Sequence, residues 1–458
     1  MQLPNTFLSL RQMSLSNIAL QVFNDPDVRL FTNTHDIHAC IWSSEEIEAL
    51  LGKEPTILLK RSKIHDIFLK QVNPTFPQEC KHRFKGDGKF HSLPNKQWEI
   101  LLNQKLSTLT LPNMFKKEIV ALVRIVVIES YIWFQDHKSI IKSTKNLHNH
   151  FQWTQDNKID RQKTAKAIIH DDSIYIIDRF ILASQYCFQE DVLSIWGILD
   201  DAQKDIFQEG DFNIVQIWAN WAKNEEELDW EEITRHSRFG LERYFPKLQQ
   251  EKRLKYLMSS RRGIWINYHE LQFCLSILDR NEQTEIFKEC PFPILEVFLD
   301  WPVQEKLLDV VELLWPYLSK ENFCDFFYLI LSQKRMLNWI GHDYVTLVKK
   351  LWMEVQFENS KILESDIIFN NLRLVLEYNG TRPSLQELGV RSIDDSFVAF
   401  ISRSTALVIS MYESDYSRFI SRLSEVNVNP AMKAYLQATD KFEQSPSLGS
   451  SVSFNPVV

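Results

Sequence analysis

Glycine is in short supply, with 11 residues in a chain of 458. So few glycines leave little room for positive φ angles or for backbone closing on a phosphate. Turn-dense β architectures and glycine-rich phosphate loops are therefore disfavoured, and Gly86-Asp87-Gly88, lacking a Gly-Lys-Ser/Thr ending, reads as a turn. Basic charge is short as well: 52 Lys and Arg stand against 60 Asp and Glu, a net charge of -8 with a pI near 5.9. A nucleic-acid binder needs a basic face to displace counterions, so that class is set aside. The six cysteines, at 40, 80, 187, 274, 290 and 324, form no compact framework and read as reduced, packed thiols. Met1-Gln2-Leu3-Pro4-Asn5 lacks a basic region followed by an apolar core. The most apolar stretch, 119–134, contains Arg124 and Glu129 and is too short to span a bilayer. No Gly-x-Ser-x-Gly elbow or catalytic cysteine signature occurs. These shortages predict a non-enzymatic protein without cofactor or membrane span, located in the cytoplasm, with the nucleus as the alternative.

What the chain has is apolar and aromatic: 44% hydrophobic residues, with 13 tryptophans and 30 phenylalanines. A pattern hxxh-Trp-xx-Leu, with h apolar, recurs at Val192-x-x-Ile195-Trp196-x-x-Leu199, Val311-x-x-Leu314-Trp315-x-x-Leu318 and Val348-x-x-Leu351-Trp352-x-x-Val355. Looser copies are Leu241-x-x-Tyr244-Phe245-x-x-Leu248 and Leu271-x-x-Cys274-Leu275-x-x-Leu278. Their last positions step by 49, 30, 40 and 37 residues. A longer self-match sets Ile198-Leu199-Asp200…Ile206-Phe207 against Ile277-Leu278-Asp279…Ile286-Phe287, and Ile214-Val215…Trp218…Trp221 against Ile294-Leu295…Phe298…Trp301. Its offset is two units of roughly 40 residues, a period that marks stacked helical arrays.

Apolar residues at i, i+3, i+4 and i+7 line one face of a helix, and Asp200-Asp201 or Ser319-Lys320 then offer caps for a following helix. The predicted fold class is all-α, an irregular helical-repeat, α-solenoid-like array with an N-terminal helical region. The boundaries are an N-terminal helical region over 1–136, a polar connector over 137–172, the array over 173–360, a helical cap over 361–440 and a disordered tail over 441–458. Within the first region, 72–95 reads as an exposed loop and Pro112 is placed to start a long helix. An acidic run from Glu225 to Glu232, followed by basic residues from Lys247 to Arg262, reads as a solvated face.

Two histidine-rich constellations could hold a metal. His35-x-x-His38-x-Cys40 with Cys80-x-His82 offers N and S ligands, at a spacing that matches no standard finger. His148, His150 and His170-Asp171-Asp172 carry the residue types of a metal phosphohydrolase, on a polar and mobile segment that suits rigid ligands badly. No metal site is expected at either.

Ser9-Leu10-Arg11-Gln12-Met13-Ser14-Leu15-Ser16-Asn17-Ile18 resembles the elongin-binding box of SOCS-box proteins. That resemblance implies partner contacts by Leu10 and Ile18, with Ser14 standing where the family has cysteine. It also implies elongin B/C as a partner and a role as substrate-receptor subunit of a ubiquitin ligase. As a whole the chain resembles divergent helical-repeat proteins of arthropods, with degenerate ankyrin-like or HEAT-like units. This likeness rests on Trp301-Pro302, Trp315-Pro316, Leu182-Ala183-Ser184-Gln185-Tyr186-Cys187 and the Ile-Leu-Asp…Ile-Phe units. It implies the fold and almost nothing of function; the stacked repeats themselves, which create extended concave surfaces, predict a non-catalytic scaffold that binds other proteins along its groove.

Overall fold

The computed structural model describes residues 8–35, 40, 94–142, 147–207, 213–224, 227–237, 239–258, 268–299 and 301–319. It also describes residues 327, 330, 346–353 and 376, and five strands. The chain divides into two compact units, one built mainly from residues 1–47 and 92–378, the other from 48–72, 76–91 and 379–458.

The first unit is mostly helical, as the 3.6-residue periodicity predicts. Helix α1 (Leu10–Phe23) opens with a capping box in which Ser9 and Gln12 satisfy each other's backbone N–H groups. It buries Leu15, Ala19, Val22 and Phe23 along α4. Helix α2 (Pro26–Thr34) starts with Asp25 as cap and Pro26 in the first turn, where a missing N–H costs nothing. Helices α3 (Pro94–Ser107) and α4 (Asn113–His137) are joined by a short turn that ends in Pro112. Trp98, Leu102, Leu106, Ile119, Val123 and Val126 are buried in this bundle. Arg124, buried within α4, pairs with Glu99 of α3 at 2.5 Å.

From residue 161 onward, short helices follow one another: α5 (Arg161–Ile169), α6 (Ile176–Gln185), α7 (Gln189–Ile198), α8 (Asp201–Ile206), α9 (Asn213–Asn224) and α10 (Trp230–His236). Then come α11 (Leu241–Tyr244), α12 (Gln250–Met258), α13 (Tyr268–Ile277), α14 (Arg280–Glu289), α15 (Pro291–Val297) and α16 (Leu307–Leu314). Contacts run between near neighbours in the chain: α5 with α6, α6 with α7 and α9, α9 with α10, α11 with α13, α14 with α15, and α15 with α16. One apolar core runs through them from Trp133 to Trp352.

The recurring motif has a definite place in this succession. Leu199, Leu248, Leu278 and Leu318 each follow directly on a helical turn, after Ile198, Lys247, Ile277 and Tyr317. The h positions are core residues: Val192, Ile195, Leu241, Tyr244, Leu271, Cys274, Val311, Leu314, Val348 and Leu351 are all buried. The pattern therefore marks how a helix ends on the core. Its tryptophans contribute unevenly: Trp352 is buried, whereas Trp196 and Trp315 are only partly covered. Among the described residues the fully buried tryptophans are Trp98, Trp133 and Trp218, outside the motif.

The longer self-match also recurs in space. Asp200 with Gln203 and Asp279 with Glu282 both form capping boxes. Ile214, Val215 and Trp218 are buried on α9, as Ile294, Leu295 and Phe298 are at the corresponding positions of α15 and the turn after it. One position differs sharply: Ile206 is 53% exposed and Ile286 only 2%.

Two expectations need correction. The polar connector of 137–172 is an integral part of the helical unit. Leu147, Phe151 and Ile159 are buried, Trp153 and Ile159 form an antiparallel bridge, and α5 lies within the segment. The second correction concerns the second unit, which holds a five-stranded antiparallel sheet in the order β2-β1-β5-β4-β3. Its strands are β1 (Lys63–Ile67), β2 (Lys81–Arg83), β3 (Val390–Asp394), β4 (Phe397–Ile401) and β5 (Ala406–Ser410). The all-α reading thus holds for the helical unit alone. β1 and β2 interrupt the N-terminal region, and β3 to β5 replace helix in the expected cap. Runs such as Phe397-Val398-Ala399-Phe400-Ile401 carry no period, and short apolar runs fit a strand as well as a buried helix turn. The expected tail over 441–458 lies outside the described residues.

Candidate functional site

The three residues of the elongin-box resemblance sit four apart on α1. Leu10 is 79% exposed, Ser14 is exposed with its hydroxyl donating to the Leu10 carbonyl at 2.8 Å, and Ile18 is half-buried. The buried side of the helix is supplied by Leu15, Ser16, Ala19, Val22 and Phe23 instead. Arg11 anchors the helix to α4, reaching Glu118 at 2.5 Å and lying over the Phe115 ring.

The histidine constellations are described only in part. His35 ends α2, stacks on Phe31 at 3.8 Å and turns Nδ1 toward the Phe31 carbonyl; Cys40 is buried. His38 and Cys80 lie outside the described residues, and His82 is on β2. His150 pairs with Asp171 at 3.1 Å, His170 with Asp191 at 2.9 Å, and Asp172 with Arg179 at 2.8 Å. Among the described residues no group of three His, Cys, Asp or Glu side chains could hold a metal ion. In the acidic run, Glu231 meets Lys252 at 2.9 Å, and Glu225 and Glu226 lie outside the described residues.

The most polar part of the core centres on His137, at the end of α4. Its ring lies between Trp133, stacked at 4.0 Å and 14°, and Phe239, stacked at 4.4 Å and 13°. Nδ1–H donates to the Trp133 carbonyl at 2.7 Å, so Nε2 carries the lone pair that accepts from the Tyr186 hydroxyl at 2.9 Å. Burial, helped by the nearby Arg161 guanidinium, lowers the His137 pKa to about 3, so the ring is neutral. Burial also pushes the Tyr186 hydroxyl up, leaving it a firm donor. Arg161 closes this region by binding Asp136 at 2.6 Å.

Tyr186 is positioned by how α6 ends. Cys187 N–H donates to the Ser184 carbonyl and Phe188 N–H to the Ala183 carbonyl, the crossed pair of a Schellman turn. The residue in left-handed conformation is Cys187, at φ 56, where glycine is usual. Burial pushes its thiol up to about 12, and Sγ lies 3.6 Å from Ser237 Oγ. This is a packing cysteine, unsuited to nucleophilic work.

The same turn directs Phe188 into the floor of a surface cleft of about 370 Å³, lined by Gln152, Gln162, Lys163, Lys166, Phe188 and Arg243. Lys166 Nζ lies 4.4 Å and the Arg243 guanidinium carbon 5.7 Å from the Phe188 ring centre. The ring thus holds two cations near each other by cation–π attraction. Lys166 also pairs with Asp191, and Lys163 with Asp160 at 2.9 Å.

Compared with known proteins, the chain matches no family model, no curated protein and no solved structure. The functional reading accordingly rests on the residues above. Sequence reasoning passed over the cleft because its parts come from three separate places, 152–166, 188 and 243, with no shared motif. It passed over His137 because an isolated histidine at the end of an apolar helix carries no local mark of its ring partners. Among the described residues no helix is long and apolar enough to cross a membrane.

Proposed function

We propose that the protein is a non-catalytic protein-interaction scaffold whose 173–360 region is a helical-repeat array. The observation that carries this reading is the packing order: short helices rest on their near neighbours in the chain around one continuous core. A helix pair that leans on its neighbours forms an extended surface instead of a single enclosed pocket. The matched burial of α9 and α15, offset by 80 residues, supports duplication of such a unit. Leu193, Ile198 and Ile206 project from α7 and α8 with 43, 65 and 53% of their surface exposed, unlike the covered Ile286. Photo-crosslinkers placed at these three positions test the scaffold reading. One and the same polypeptide is expected at neighbouring sites, and the absence of any protein adduct at all three would count against the scaffold.

A second reading, substrate receptor of a ubiquitin ligase, is favoured by one specific observation. Leu10 and Ser14 are exposed on α1 and Ile18 is half-buried at the edge of that face, where an adaptor could reach them. Elongin B/C is then expected to co-purify with the protein and to be lost from a Leu10→Ala, Ile18→Ala double variant. Co-purification that survives both changes rules this mechanism out.

A further inference from the structure

We propose that Ile206, at the end of α8, anchors a docking site for a partner protein's helix that ends in an aromatic–proline turn, which deepens and rests on the scaffold reading. It follows from the internal repeat. The match offset by 80 residues continues without a gap beyond Trp221 and Trp301: Leu228-Asp229 stands against Leu308-Asp309, Glu232 against Glu312 and Ile233 against Leu313. Helix α10 is therefore the counterpart of α16, and Arg235-His236-Ser237 takes the place of Trp315-Pro316-Tyr317. In the second copy the Trp315–Tyr317 turn packs on α14, and Ile286 of α14 is only 2% exposed. In the first copy, among the described elements, none packs on α8 to a like extent, and Ile206 is 53% exposed. Ile198 differs in the same sense: it is exposed, whereas its counterpart Ile277 is partly buried against the core.

Local chemistry accounts for the difference. Arg235 and His236 both bind Glu232, at 2.5 and 2.9 Å, and the Arg235 side chain stays in water. A guanidinium held by a carboxylate covers an isoleucine only by giving up that hydration, which is costly. The first copy thus keeps the apolar position and lacks the cover that the second draws from its own chain. The second copy also shows what fits: a helix end bearing a large aromatic side chain followed by proline. The aromatic ring supplies apolar area, and the proline ends the helix so that the ring comes at its close. An anion or a sugar brings no such area. A second copy of this chain has its own Trp315–Tyr317 turn engaged on α14, so the occupant is a different protein, held by its helix end.

The test is a fluorescence-anisotropy titration of the full chain with a labelled peptide of its own residues 303–318, which holds the covering turn. Saturable binding is expected, weakened at least about ten-fold by Ile206→Asp, which sets a charge where the ring would settle. That variant is expected to melt within about 2 °C of the native chain, because Ile206 is exposed. Leu30→Asp, at an exposed leucine of α2, is expected to bind as the native chain does, which separates docking from general stickiness. Arg235→Trp gives the first copy an aromatic cover of its own and is expected to weaken binding by a similar factor, as is Trp315→Ala in the peptide alone. No saturable binding, equal loss in Leu30→Asp, or full affinity with both Arg235→Trp and the Trp315→Ala peptide would overturn the proposal. So would full affinity in Ile206→Asp, since the peptide would then sit elsewhere, as by exchange with its own copy on α14. A protein cross-linked at Ile206 that excess peptide does not displace removes this inference alone. Peptide binding without a protein adduct at Leu193, Ile198 or Ile206 would remove the scaffold reading instead.

Discussion

At the scale of single residues, the strongest commitments lie where side chains leave no slack. His137 is neutral in the folded chain with its pKa lowered to about 3, against 6.5 for a free ring. The unfolded chain therefore takes up a proton near pH 6.5 that the folded chain refuses until about 3. Stability is unaffected above that window and falls as pH drops through it, by on the order of 5 kcal/mol at most. Urea unfolding between pH 7 and 4 is expected to show this loss, reduced in His137→Phe. If the two proteins lose stability in parallel, His137 is not the group responsible. Gly240 is held just as tightly by sterics: an added Cβ would overlap Cys187 Sγ and crowd Ser237 Oγ. Gly240→Ala should cost about 1–3 kcal/mol. Cys187→Ala in the same chain should recover part of that, because it removes the sulfur, and a double-mutant cycle reads the coupling directly. Simple additivity would mean that the two residues do not meet.

At the scale of elements, the hairpin of 153–159 ties together parts of the chain far apart in sequence. Ser16 of α1 donates to the Gln155 carbonyl at 2.8 Å, Lys158 approaches Glu129 of α4 at 3.7 Å, and His269 of α13 binds Asp156 at 2.9 Å. The hydrogen bond to Asp156 raises the His269 pKa above 6.5. For Asp156, burial acts upward but is outweighed by hydrogen bonds from His269 and Thr154, so its pKa falls below 3.8. The histidine's contribution is complete below 6.5 and fades as pH rises through its raised value; the carboxylate's is complete above 3.8 and fades as pH falls through its lowered value. Their bond is thus strongest between these limits. It is worth up to about 1 kcal/mol, because the histidine is half in water. The stability difference between the native chain and His269→Gln should peak in that window and shrink as pH rises through the raised His269 value; a flat difference would refute the pairing. Helices and some of their ends were legible in the sequence because amphipathic spacing and Asp caps are local signals, as at Asp200. The hairpin was not, since Lys- and Asn-rich composition says nothing of partners on α1, α4 and α13. The sheet was missed for a related reason: β1 pairs with β5 more than 300 residues away, and no local pattern encodes such a match.

At the scale of the whole molecule, the open physical question is whether the helical unit behaves as an array or as one block. Near-neighbour contacts argue for an array, in which stability is a sum of unit and interface terms. The unbroken core from Trp133 to Trp352 argues for a single cooperative body. Trp218 separates the two, because it is fully buried on α9, and α9 packs on α6, α7 and α10. Trp218→Ala should cost about 3–5 kcal/mol through lost burial and the cavity left behind. In an array that cost stays near its source. Hydrogen exchange should then speed up over α6, α7, α9 and α10, while amides of α14 and α16, two units further on, keep their native protection. A uniform loss across 161–314 would mean that the core unfolds as one piece, and the scaffold reading would lose its physical basis. Local loss would show instead that one stretch can open while the rest stands.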